Sequence, residues 1–267
     1  VSWTVQHLVT HETSVQNVKQ TAKSRSVSTK VWKIEKVEAD GKIVFEYSVD
    51  HVDMWQHVSG RPEVRYNSQK DNDAPREYAQ VASMIGVPLT LVTMDPHGTI
   101  IDKTYPTKGV TPTVAELAIP LPKTPVKIGA EWTLPEEVKL SLDDKRILRV
   151  QIRHAYRLEN VEDKIATIAI RTQIVTPIDD PKIQGRLLER MKNGSARFDL
   201  ESGRVISSQL DLDENVIGFA GAESSLQYRA RFLEEIITGP TPGPSTPSTK
   251  EPAAKAATKP SNSPKTK

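Results

Sequence analysis

The sequence predicts a mainly β fold, α+β in detail: two tandem antiparallel β modules, each with one short helix, packed as a sandwich, a barrel or a curved half-barrel. Three observations predict it. Residues 146–160 alternate with period two: Leu148, Val150, Ile152, His154, Tyr156 and Leu158 share one face. Arg149, Gln151, Arg153, Arg157 and Glu159 share the other, as in a half-buried strand. Turn chemistry recurs between apolar runs, best in Ala39-Asp40-Gly41 between residues 31–37 and 43–49. Finally, the chain resembles itself. Trp3-Thr4-Val5 parallels Trp132-Thr133-Leu134, Trp32 to Val37 parallels Tyr156 to Val161, and Lys42-Ile43 parallels Lys164-Ile165. Pro75, Gly86 and Gly98 match Pro181, Gly194 and Gly203 in the same order. Matches that keep their order predict a duplicated module.

The elements follow from these patterns. The strand at 146–160 pairs through a Glu162-Asp163 turn with one at 164–175, which turns Ala166, Ile168, Ile170 and Ile174 to the apolar side. A last strand at 224–236 alternates Leu226, Tyr228, Ala230 and Phe232 against Gln227, Arg229 and Arg231. The first helix opens at Asp73 to Pro75, carries Tyr78, Val81, Ala82 and Ile85, and stops at Gly86. In the second, Asp180 caps, Pro181 takes the first position, Ile183, Leu187, Leu188 and Met191 form a stripe, and Asn193-Gly194 stops it. A hairpin follows each helix, around Asp95-Pro96-His97-Gly98 and around Glu201-Ser202-Gly203. The modules span 1–112 and 126–238, with a Pro-rich connector at 113–125.

Residues 239–267 contain seven prolines and no aromatic, Leu, Ile or Val, so they predict a disordered Pro/Thr/Lys tail. That tail holds five of the 36 basic residues and one of the 34 acids, leaving 31 against 33 elsewhere. The basic pI of 8.6 is therefore a property of the tail, and gives no argument for a nucleic-acid partner. No apolar window approaches 18 residues, so no transmembrane segment is expected. The absence of cysteine and the start at Val1 rather than Met predict an exported protein. It would be periplasmic or at the cell surface, with a signal peptide or lipid anchor upstream.

His7 and His11 are same-side on a strand but about 13 Å apart by strand rise, too far to share one ion. His51, Asp53 and His57 need other strands to converge on a metal. Asp211-Leu212-Asp213-Glu214-Asn215 imitates a calcium loop but has Val216 and Ala222 where Gly and Glu belong, so a solvated acidic strand end is expected. Arg149, Arg153, Arg157, Arg171, Arg197, Arg229 and Arg231 fall on polar strand faces, where cross-strand ion pairs are expected over a polyanion site. His154, in an apolar stripe, needs an acid or nucleophile beside it to act as a base. No nucleophile elbow, Walker loop, dinucleotide turn or zinc-protease motif occurs, so no catalytic residue, metal or cofactor is assigned. The low-specificity candidates for an apolar groove are His154, Tyr156, Tyr228 and Phe232.

Gly129-Ala130-Glu131-Trp132 after a Pro-rich connector, Trp32 before Asp40-Gly41, and Asp95-Pro96-His97-Gly98 after a short helix resemble a family of uncharacterised exported proteins of planctomycete-type bacteria. The similarity covers most of residues 1–237. It implies export, secreted or lipoprotein-like, and carries no activity or site residues. The expectation is a non-enzymatic envelope protein holding an apolar small molecule or lipid between its sheets. The alternatives are an interaction module tethered to anionic cell-envelope polymer by its basic tail, and an unrecognised hydrolase.

Overall fold

The computed structural model describes residues 1–106, 118–142 and 146–239. Residues 113–117 of the expected connector and 240–267 of the expected tail lie outside the described residues. The strands are β1 (Ser2–Val15), β2 (Val18–Val37), β3 (Ile43–Val58), β4 (Val64–Asn67), β5 (Thr90–Met94), β6 (Ile100–Thr104), β7 (Glu131–Ser141), β8 (Ile147–Glu162), β9 (Ile165–Ile174), β10 (Asn193–Asp199), β11 (Arg204–Ile217) and β12 (Ser224–Ile236). One helical turn, α1 (Ala79–Ala82), follows the 3-10 turn Arg76–Tyr78, and α2 (Pro181–Leu187) runs into the 3-10 turn Leu188–Arg190.

All twelve strands belong to one antiparallel sheet, in the order β6-β5-β3-β2-β1-β12-β11-β10-β9-β8-β7, with β4 paired to β3. The fold is mainly β, as the sequence predicts. Two sheets in a sandwich are not observed, and the sheet is not closed into a barrel. It is nevertheless curled. Seven strand spacings separate β5 from β9, about 34 Å if flat. Residues 119–121 bridge that distance. Leu121 N donates to His97 O at 2.6 Å in the β5–β6 turn, while Ile119 and Leu121 pack on Tyr156, Leu158 and Ile168. Three residues reach only about 10 Å, so the two flanks of the sheet must approach across its inner face. Gly98 permits the approach: a Cβ there would sit 2.6 Å from Ile119 O.

The inner face carries the core. On β8 and β9, Val150, Ile152, Tyr156, Leu158, Ile168 and Ile170 are buried, and the intervening arginines are exposed. The second helix covers one end, with Leu187 on Val138, Val150 and Ile152, and Leu188 on Val216, Leu226 and Tyr228. Asp180 caps it as predicted, accepting from Lys182 N at 2.8 Å. The first helical segment covers the opposite flank, where Tyr78, Val81, Ala82 and Ile85 meet Val52 and Tyr66. Among the described residues no helix is long and apolar enough to cross a membrane.

Two local expectations need correction. Asn193-Gly194 does not stop the second helix; both residues lie in β10. Gly194 is required by packing, since a Cβ would fall 2.0 Å from Gln209 O of β11. The β8–β9 turn is Asp163-Lys164, one residue later than expected, with φ of 47° and 66°. Those paired positive values mark a two-residue hairpin turn matched to strand twist.

Candidate functional site

Two features of the inner face could do chemistry. The first is an apolar pocket of about 160 Å³ between the first helical segment and β2–β3. Its lining is Ser26, Ser28, Val49, Val52, Met54, Val81, Met84, Ile85 and Leu89. The wall opposite the sheet is pinned by main-chain bonds: Gly86 N to Val49 O and Leu89 N to Tyr47 O, both 2.8 Å. Gly86 takes φ +71° to make that turn, which favours glycine. β2 offers only serines at Ser24, Ser26 and Ser28. Small side chains there leave the space that Val or Leu would fill.

Alongside the pocket, β1 sets His7 opposite Phe232 and His11 opposite Tyr228. The rings meet edge-to-face at 6.3 and 4.7 Å. Burial lowers the pKa of both imidazoles, and the Glu189 carboxylate opposes that weakly. Burial pushes the Tyr228 hydroxyl up to about 12. At the end of this strip Lys30 and Glu234 form a buried ion pair, and the Lys30 ammonium lies 4.5 Å over the Trp3 ring.

The second feature is a polar seam between two apolar clusters. His154, 2% exposed, meets Glu136 Oε2 through Nε2 at 2.7 Å and Thr172 Oγ1 through Nδ1 at 3.2 Å. Strand register makes the seam: Leu134 lies opposite His154, so Glu136 is the next inward residue of β7, and Thr172 is His154's partner on β9. The His154 contact holds the Glu136 carboxyl below the usual carboxylate range, with Arg190 and Lys192 adding to the effect and burial opposing it. Thr172 also borders a cleft of about 930 Å³ whose walls are largely outward residues of the sheet, among them Arg171, Asp211, Arg229 and Arg231.

The four groove candidates all lie on the inner face, but apart. Tyr156, 1% exposed, is stacked under Trp132 at 5.7 Å. Tyr156 and Phe232 are four strands apart in one register row, about 19 Å if flat. The structure therefore places them in separate packing environments. His51 meets Ser68 Oγ at 2.8 Å. Among the described residues no group of three or more His, Asp or Glu is placed to hold a metal. The acidic run 211–215 lies within β11, where Asp211 pairs with Arg231 at 2.6 Å.

Sequence reasoning missed the pocket because β2 reads as alternating Ser, Lys and Arg with no apolar side. The stripe Val81, Ala82 and Ile85 was the only signal near it. Glu136 was missed because it is 18 residues from His154 and only the β7–β8 register joins them. Comparison with models of known families and with curated proteins found no match to this chain.

Proposed function

We propose that this is an exported, non-enzymatic envelope protein that holds an apolar, lipid-like ligand on the inner face of its curled sheet. The observation that carries the reading is the pocket, seven of whose nine lining residues are apolar. Dry apolar cavities of about 150 Å³ bind benzene-sized molecules. This one would take a ring or an acyl end, with the remainder along the strip of His7, Ser24 and Phe232. Apolar surface left open in this way is a normal mark of a ligand site.

Filling the pocket tests the reading. The Ser26→Leu/Ser28→Leu variant should bind a fluorescent fatty-acid probe at least tenfold more weakly than the natural chain, with its melting temperature kept or raised. Native mass spectrometry of the gently purified protein should show a bound apolar species. No copurified species together with no probe binding would overturn the proposal.

A second reading, a hydrolase, is favoured by the polar seam. His154 Nε2 meets the Glu136 carboxylate and Nδ1 meets the Thr172 hydroxyl; in the tautomer with the proton on Nε2, Nδ1 accepts from that hydroxyl. A carboxylate, an imidazole and a hydroxyl then stand in the order that activates a nucleophile. A panel of acyl esters separates the readings. Hydrolysis that is lost in both Thr172→Val and His154→Gln supports an enzyme; turnover unchanged by both removes this site.

A further inference from the structure

The outer face of β8–β10 holds three arginines that the rest of the sheet does not neutralise. Elsewhere on this face the expected cross-strand pairing is seen. Arg149 bonds Glu137 at 2.8 Å, Arg231 bonds Asp211 at 2.6 Å, Arg229 pairs with Glu12, and Arg153 is held by Gln173 at 3.0 Å. Among the described residues, Arg157, Arg171 and Arg197 make no ion pair. All three are exposed. Glu131 faces Arg157 in the β7–β8 register but forms no ion pair with it.

Register fixes how the three are arranged. Ala169 of β9 lies between Arg157 of β8 and Ser195 of β10. Arg171 stands two residues along β9 from Ala169, opposite Ala155 and Asn193. Arg197 stands two residues along β10 from Ser195, opposite Thr167. With standard strand dimensions their Cα atoms are about 8, 12 and 14 Å apart. The floor between them is Ala155, Ala169, Ser195 and Thr167, with Glu159 and Asn160 at the β8 bulge on its edge beside Thr167. Arg171 also lines the 930 Å³ cleft with the outward residues Asp211, Arg229 and Arg231, whereas Arg157 and Arg197 stand outside it. Cations spaced in this way suit a row of separate anions better than one compact ion.

We propose that this patch docks an anionic polysaccharide bearing sulfate or phosphate esters. Guanidinium groups bind tetrahedral oxyanions through two parallel N–H···O contacts, and they stay charged at any physiological pH. Three of them at these spacings engage successive charged residues of an extended chain. Single-stranded nucleic acid is the less fitting occupant. The outward residues of β8–β10 include no aromatic ring on which a base could stack. The site is on the face opposite the apolar pocket, so it goes beyond the ligand reading and stands independently of it.

The test uses the full chain throughout, so the five tail lysines contribute equally to every measurement. Binding of dextran sulfate and of dextran phosphate is measured by titration across a range of salt. The Arg157→Ser/Arg171→Ser/Arg197→Ser variant should lose at least tenfold in affinity and show a shallower salt dependence. A control of equal charge change, Lys139→Ser/Arg149→Ser/Arg229→Ser, should lose less than threefold. Arg157→Lys/Arg171→Lys/Arg197→Lys keeps charge and fold, and should fall between the natural chain and the Ser variant. Fatty-acid probe binding should be unchanged in all of them. Equal losses in the Ser variant and its control would overturn the patch, as would no loss in either. Tighter binding of single-stranded DNA than of both polymers would overturn the polysaccharide assignment. The better of the two polymers assigns the ester.

Discussion

Replacing Lys30 by Met should destabilise the protein by about 3–5 kcal/mol, the cost of stranding one member of a buried ion pair. Lys30 and Glu234 are 8% and 9% exposed, and they meet across the inner side of β1. Their surroundings are aromatic. The Lys30 ammonium lies 4.5 Å over Trp3 and 5.5 Å over Trp32, and Trp32 stacks on Phe45 at 4.3 Å. Without its ammonium, the Glu234 carboxylate stays in that apolar setting beside Tyr47. Burial raises the Tyr47 pKa, and Glu234 raises it further; a phenol is neutral or anionic in either protonation state, so it cannot replace the lost ammonium. The double variant Lys30→Met/Glu234→Leu removes both desolvation costs and keeps the volume. It should recover to within about 1–2 kcal/mol of the natural chain. Urea unfolding at pH 7, with all slopes compared, measures each step. A single variant losing under 1 kcal/mol, or a double variant worse than the single, would show that the pair is not the desolvated contact described.

The same pair illustrates which parts of the fold a sequence can display. Lys30 sits in a segment of Ser, Thr, Lys and Arg that carries no apolar alternation, and it is buried because β2 lies between β1 and β3. The signal for β2 would have been its turn, but Gln16-Asn17 adopts φ of 48° and 64° without glycine. Where the inward residues are large and aliphatic, as at Val150, Ile152 and Ile168, the pattern was plain. Those side chains must leave water, and only period two buries them together. The connector shows another limit. Its prolines announced an extended path, whereas its role as a strap from His97 to Tyr156 depends on long-range curl. The candidate pocket was illegible for a related reason: it exists where side chains are small, and a missing side chain leaves no mark in a hydropathy pattern.

The polar seam makes the second large prediction, because a buried imidazole held by two partners couples packing to pH. His154→Ala should cost about 3 kcal/mol. It opens a cavity between the Tyr156 and Ile152 clusters and leaves Thr172, 4% exposed, without its ring partner. Glu136→Gln should cost less, about 1 kcal/mol at pH 7, since its side chain is 42% exposed and water competes for it. The pH dependence has a definite sign. Glu136 titrates lower in the folded chain than unfolded, chiefly because of its bond to His154. A depressed carboxyl contributes stability that is fully present above its unfolded pKa of about 4.3 and is lost as pH falls through the folded value. The stability gap between the natural chain and Glu136→Gln should therefore be constant from about pH 7 to 5. It should close progressively below pH 4.3. Urea midpoints collected from pH 3 to 7 resolve this. A gap that persists undiminished at pH 3 would mean that the charged form of Glu136 contributes nothing, and that packing alone holds His154 in the seam.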